Sequence, residues 1–186
     1  MINIKQEINN INLRKKLEII TENPEISLTQ HIDLVCKLKN EYNHSITIEE
    51  EVILEQVKTW KYSCFQYAFN LVEPSQEVIE IANSDSGHFI GSEFVLYLTK
   101  NTLDEVKNRK LCEGDLVIYS DSFKIQHAGK IKDEFVISKW GEWPIWKHKL
   151  YEVPQSYGDN VNVYKPISSI EANEAFMEYS KTILPE

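Results

Sequence analysis

Apolar residues recur at three- and four-residue spacing from the start of the chain, as Ile4, Ile8 and Ile11 and then Leu13, Leu17 and Ile20, until Asn23-Pro24 interrupts them. That spacing predicts a first helix. Ser27 with Gln30 three residues on is a capping box, and Leu28, Ile32, Val35, Leu38 and Tyr42 form an apolar stripe behind it, a second helix. Thr47 with Glu50 repeats the signature ahead of Ile53, Leu54 and Val57, which reads as a third helix, although the β-branched residues leave a strand open. Ser63 and Gln66 place Cys64 in the first turn of a short helix that runs through Tyr67, Ala68 and Leu71 to a stop at Glu73-Pro74. Residues 75 to 110 read as helix and loop with a break over Ser84 to Gly87, and Phe94 to Leu98 fits helix or strand equally.

After Gly114 the pattern changes to short apolar and alternating runs: 115 to 119, 126 to 131 and 135 to 140, the last two divided by the polar turn Lys132-Asp133-Glu134. This predicts an antiparallel meander. Two further strands are expected at 149 to 153 and 161 to 164, around the turn residues Pro154, Tyr157, Gly158 and Asp159. A terminal helix starts at Ser168 or Ser169 and runs through Ala172, Phe176 and Tyr179. Helices first and sheet second make an α+β domain, without internal repeat or linker.

Composition narrows the classes. With 42% hydrophobic and 26% charged residues and only 6 Gly and 6 Pro in 186 residues, the chain is neither disordered, collagen-like nor low in complexity. A net charge of -9 opposes a nonspecific grip on phosphate backbones, so nucleic acid is not an expected partner. A chain of this length buries about 70% of its unfolded surface, so neither disulfides nor metal are needed to hold a core. The three cysteines, Cys36, Cys64 and Cys112, are odd in number and irregularly spaced, which suits a reducing compartment. Residues 1 to 16 lack the apolar run of a secretory signal, and nowhere do eighteen apolar residues run together. The expectation is a cytoplasmic protein with no membrane partner, though leaderless export would leave no mark in the sequence.

A thiol is a nucleophile as thiolate, and a helix start or a neighbouring imidazolium lowers its pKa. Cys64 is predicted to have the first, and His127, downstream on a strand, is the candidate for the second. Cys36 sits on the stripe of the second helix and is expected in the core; Cys112 precedes Glu113-Gly114 and is expected in a loop. Cys64, Cys112, His127 and His148 could in principle hold zinc, but they lack closely spaced ligand pairs, so no metal site is assigned.

The order of Tyr62-Ser-Cys-Phe-Gln-Tyr-Ala-Phe69, Glu113-Gly-Asp-Leu-Val-Ile-Tyr119, His127-Ala-Gly-Lys-Ile131 and Val136-Ile-Ser-Lys-Trp-Gly141 resembles the papain-like NlpC/P60 superfamily. There a Cys opens a helix packed on an antiparallel sheet, a Gly-Asp pair enters the first strand, His-x-Gly stands on the second, and a polar third residue follows. The resemblance implies Cys64 as nucleophile, His127 as base and Ser138 as third residue, in a domain over residues 59–186 behind an N-terminal helical extension of residues 1–58. Ser138 departs from the usual His, Asn or Gln, and Lys139 beside it would oppose an imidazolium if it faced inward. The implied activity is that of a thiol hydrolase or acyltransferase on an amide or ester bond, with no cofactor. The resemblance implies a peptide-like or other amide or ester substrate, and the Cys64 N-H, with Tyr62 added on proximity alone, would bind the oxyanion. The absence of an export signal favours the less charted branches of the superfamily over its wall hydrolases. The rival is a papain-fold binding protein, an inhibitor, immunity or effector-type chain whose acidic surface docks a protein partner.

One loop remains. Trp140-Gly-Glu-Trp-Pro-Ile-Trp146 holds three of the four tryptophans, and Gly141 and Pro144 prevent strand alternation from burying them together. Trp143 at the loop tip is the expected substrate or partner contact. His148 beside it is expected either in the cleft wall or as a surface histidine at a strand start.

Overall fold

The structure, a computed structural model, describes residues 4–49, 62–72 and 90–183. Two helices come first, α1 (Ile4–Thr21) and α2 (Leu28–Tyr42), followed by a two-residue strand β1 (Thr47–Ile48). Then come α3 (Cys64–Ala68) and α4 (Ser92–Asn101), and strands β2 (Leu116–Ser120), β3 (Ile125–Lys132), β4 (Phe135–Lys139) and β5 (Ile145–His148). A 3-10 turn (Gln155–Tyr157), β6 (Asn160–Tyr164) and α5 (Ser169–Ile183) complete the described chain, which is α+β.

Both capping boxes form. Ser27 accepts from the Gln30 N-H while the Gln30 side chain accepts from the Ser27 N-H, and Ser63 and Gln66 do the same ahead of α3. α2 ends where Asn43 turns left-handed at φ 51° and donates its N-H to the Lys39 carbonyl. The segment from Phe94 to Leu98 is helical, with Phe94, Val95 and Leu98 buried on one side of α4.

The strands form one sheet in the order β1-β5-β4-β3-β2-β6, every pair antiparallel. Asp133 and Glu134, both at positive φ, make the two-residue turn between β3 and β4, a conformation that matches the twist of the strands it joins. Two expectations need correction. The strand expected at 149 to 153 lies instead at Ile145–His148, where Trp146 pairs with Ser138 and Ile145 with Lys139. Pro144 stands just outside the ladder, where its missing N-H costs no bond. Thr47 and Ile48 pair with Lys147 and Trp146 at the sheet edge rather than opening a helix. Glu50, the helix expected over 53 to 57 and the break at 84 to 87 lie outside the described residues.

Helices cover both faces of the sheet. On one, Phe65, Ala68 and Phe69 around α3, Phe94 and Leu98 of α4 and Phe176 of α5 pack on Leu116, Ile118 and Ala128. On the other, Leu13 and Leu17 of α1 and Val35 of α2 meet Val117, Tyr119, Val136, Trp140 and Trp146. The N-terminal helices therefore share a core with the sheet, and burying each Leu or Val side chain they supply contributes roughly 1.5 to 3 kcal/mol. The buried apolar positions of α1 are Leu13 and Leu17, with Arg14 buried beside them, while Ile8, Ile11 and Ile19 stay exposed. Cys36, expected in the core, is exposed, because His31 and Val35 take the inward face of α2 and the next residue is rotated about 100° away.

Candidate functional site

The cap at Ser63 fixes the start of α3, and burial of Phe65 and Ala68 presses the helix onto β3 and β4. Cys64 is thereby held against the end of the sheet. Burial pushes its thiol up to about 11, against the opposing pull of the Ala128, Phe65 and Cys64 N-H groups and the Lys139 ammonium. The depressed pKa expected from the helix start is outweighed by desolvation. At neutral pH Cys64 is thus a protonated thiol, whereas Cys36 and Cys112 are exposed. With limiting iodoacetamide at pH 7, peptide mapping is expected to find Cys36 and Cys112 alkylated well before Cys64. Preferential labelling of Cys64 would mean that the sulfur is more solvated than its surroundings imply.

The Gly114-Asp115 pair enters β2 as an anchor. Gly114 lies at φ +82°, and the fully buried Asp115 carboxylate takes both arms of the Arg109 guanidinium at 2.7 Å and the Cys112 N-H at 2.8 Å. Burial alone would raise this carboxyl, but the Arg109 fork and the Cys112 N-H hold it below the usual range.

His127 pairs with Tyr119 across β2, and its ring packs 5.6 Å from that of Tyr119 on the sheet face covered by α1 and α2. The next residue, Ala128, points into the α3 core. The imidazole is buried and held neutral, its pKa well below 6.5, by desolvation and then by His148. Its Nε2 finds no hydrogen-bond partner among the described residues, and no hydrogen bond there joins the ring to the Cys64 thiol.

Ser138 does not serve His127. Its Oγ lies 2.8 Å from His148 Nε2 and accepts the Trp140 indole N-H at 3.1 Å, while His148 Nδ1 lies 2.8 Å from the Lys149 carbonyl. The carbonyl takes the Nδ1-H, so Nε2 is the acceptor and the Ser138 hydroxyl donates to it. His148 is therefore neither a surface residue nor a cleft wall: it is fully buried, its pKa lowered to about 4 by desolvation, and the relay of Trp140 indole, Ser138 hydroxyl, His148 ring and Lys149 carbonyl is paired at each step. Trp143 is likewise not a free loop tip. Its ring stacks on His31 at 4.2 Å and its indole N-H donates to the Thr21 carbonyl at 2.6 Å, tying the loop to α1 and α2.

Tyr62 is buried, with the Lys139 ammonium 5.2 Å over its ring. That ammonium, itself buried, donates to the Gly141 carbonyl at 2.6 Å and the Trp143 carbonyl at 3.3 Å, and faces Cys64. Sequence reasoning missed Tyr157. This residue, seen only as part of a turn, stacks on His127 at 3.9 Å and 15°. Burial, and then the charge Cys64 carries once ionised, push its phenol well above the ordinary range against the Gly141 N-H turned toward its oxygen, and the buried hydroxyl has no hydrogen-bond partner of ordinary geometry among the described residues. An aromatic flanked by Pro154 and Gly158 in a turn was the available signal.

Tyr157 links these residues: it stacks on His127 and, like Lys139, is reached by a charge on Cys64, while the His127 ring lies on the sheet face opposite the α3 core in which Cys64 packs. A cavity of about 320 Å³ lined by Asn70, Glu113, Lys130 and Pro166 includes none of these four. Among the described residues no group of three His, Cys, Asp or Glu is placed to hold a metal ion, and no helix is long and apolar enough to cross a membrane. Compared with protein-family models, curated proteins and solved structures, the chain matches none of them.

Proposed function

We propose that the chain is a papain-like thiol hydrolase or acyltransferase, related to the NlpC/P60 group, in which Cys64 attacks the carbonyl of an amide or ester and His127 takes its proton. The observation that carries this reading is a contrast between two buried polar groups. Ser138, His148 and Trp140 form a chain in which each donor and acceptor is paired, as a structural network must. His127 Nε2 has no partner and the Tyr157 O-H no acceptor of ordinary geometry among the described residues; the two rings are stacked, and Tyr157 lies within electrostatic reach of Cys64. The other such atoms, on His31, Trp146 and Ser156, are not stacked on this pair. Leaving a buried donor or acceptor unpaired costs about 1 to 3 kcal/mol, and two such costs on one stacked pair fit a site whose partners arrive with the substrate.

Both Cys64 and His127 are neutral at rest. Proton transfer then accompanies attack, as for a serine nucleophile, instead of preceding it as a thiolate-imidazolium pair. The thiol proton passes to His127 as the S-C bond forms, the leaving group departs with that proton, and water or an amine resolves the thioester. The same protonated thiol is the observation that favours the second reading, a papain-fold binding protein docking a protein partner. Acylation separates the two. With p-nitrophenyl acetate and exposed Cys36 and Cys112 replaced by serine, we expect an acetyl thioester on Cys64 by intact mass, and none in the Cys64→Ala variant. Absence of the adduct from the protein that retains Cys64 would favour the binding reading.

A further inference from the structure

We propose that the Tyr157 hydroxyl is the side-chain donor to the oxyanion formed when Cys64 attacks a carbonyl, the part that nearness in sequence gives to Tyr62. This inference rests on the thiol-acylation reading above. The hydroxyl is buried with the Gly141 backbone N-H turned toward its oxygen, and its O-H reaches no acceptor of ordinary geometry among the described residues, while its ring lies flat on His127 at 3.9 Å. It is close enough to Cys64 for a charge on the sulfur to act on it, so a charge developing on an oxygen bonded next to that sulfur acts on it as well. Tyr62, by contrast, has its ring under the Lys139 ammonium and stacked on Tyr67 at 6.5 Å.

The position of Tyr157 is over-determined, as preorganised electrostatic stabilisation requires. The Tyr157 N-H donates to the Pro154 carbonyl at 3.2 Å and the Gly158 N-H to the Gln155 carbonyl at 3.0 Å, closing the 3-10 turn. Gly158 follows at φ +98°, where a Cβ would meet the Ser120 carbonyl oxygen at 2.2 Å. From α1, Arg14 holds the Gly158 carbonyl at 2.6 Å. In the reaction the S-C bond forms, the carbonyl π pair moves to oxygen, and that oxygen accepts the Tyr157 O-H without taking its proton. Collapse re-forms C=O and breaks the bond to the leaving group, which takes the proton held by His127; when a phenolate departs unprotonated, His127 gives that proton to solvent.

The test compares two chemistries at one sulfur, in protein with Cys36 and Cys112 replaced by serine. Acetylation by p-nitrophenyl acetate passes through an oxyanion; alkylation by iodoacetamide does not. Tyr157→Phe keeps the stack and removes only the hydroxyl, so we expect acetylation of Cys64 to slow about 10²-fold, alkylation at pH 9 to stay unchanged and Tm to hold or rise. A ring-fluorinated tyrosine at position 157, a stronger donor, is expected to speed acetylation, and it decides the matter if the Phe variant loses stability. Acetylation at the unmodified rate in both variants overturns the role of Tyr157 and leaves the hydrolase reading standing. Equal loss of acetylation and alkylation also overturns it, showing a residue that supports the thiol. If Cys64 is never acetylated even with Tyr157 in place, the hydrolase reading fails and this inference fails with it.

Discussion

Lowering the pH from 7 to 5 is expected to destabilise the folded chain by about 4 kcal/mol or more, seen as a fall in Tm of roughly 10 °C. His31, His44, His127 and His148 are all buried, and each has its pKa lowered, chiefly by desolvation. An unfolded chain accepts protons near 6.5 that the folded protein refuses, so the stability these groups contribute is complete above 6.5 and is lost as the pH falls through the folded values. For His148, lowered to about 4, the cost between pH 7 and 5 is about 2 kcal/mol. His31, also lowered to about 4 by burial, adds a loss of the same sign and similar size, and His44 and His127 add to it. The net charge of -9 relaxes toward the pI near 5.1 over the same interval, which acts in the opposite direction. Those charges are dispersed over the surface and screened beyond about 10 Å at 0.1 M salt, so the desolvated imidazoles dominate. Melting curves at constant ionic strength check this, and an equal or higher Tm at pH 5 would show that the histidines are hydrated in solution.

What the sequence made legible was local. The two capping boxes, at Ser27/Gln30 and Ser63/Gln66, lie within four residues each and form as read, because cap and backbone compete with nothing distant. The meander from β2 to β4 was legible for the same reason, its alternation and the Asp133-Glu134 turn being properties of consecutive residues. What failed depended on pairing. β1 is a strand only because β5 offers Trp146 and Lys147 to it, and nothing within residues 47–48 records that neighbour. The resemblance pairs Ser138 with His127, whereas the strand on its other side brings His148 within 2.8 Å. In sequence, the helix start and a downstream imidazole both argue for a lowered Cys64 pKa, while desolvation depends on how the whole sheet end packs around the sulfur. Tyr157 was invisible because a turn in sequence does not disclose which ring it lies on.

The last expected result joins the N-terminal helices to the site. Arg14 of α1, buried among the turns that follow β5, donates through Nη1 to Asp159 Oδ1, through Nη2 to the Gly158 carbonyl at 2.6 Å and through Nε to the Val153 carbonyl at 3.4 Å. Arg14→Met keeps the apolar stem and removes all three donations. The Asp159 side chain is 76% exposed and returns to water at little cost, so the ion pair itself contributes less than 1 kcal/mol or so. The carbonyls are the larger loss. A hydrogen bond from a charged donor contributes about 1.5 to 3 kcal/mol, and Gly158 and Val153 both lose one, the long Val153 contact at the low end. Relief from burying the guanidinium offsets part of this, which leaves an expected destabilisation of about 3 kcal/mol and a Tm lower by about 6 to 12 °C. Because the released turn is the one that lays Tyr157 on His127, acetylation of Cys64 should fall in Arg14→Met even at temperatures where the variant remains folded. Asp159→Ala, which removes only the solvated end of the contact, should change neither quantity appreciably. Equal effects of the two substitutions would put the ion pair, not the clamp on the Gly158 and Val153 carbonyls, in control of the turn, and a normal acetylation rate in folded Arg14→Met would separate the N-terminal helices from the chemistry.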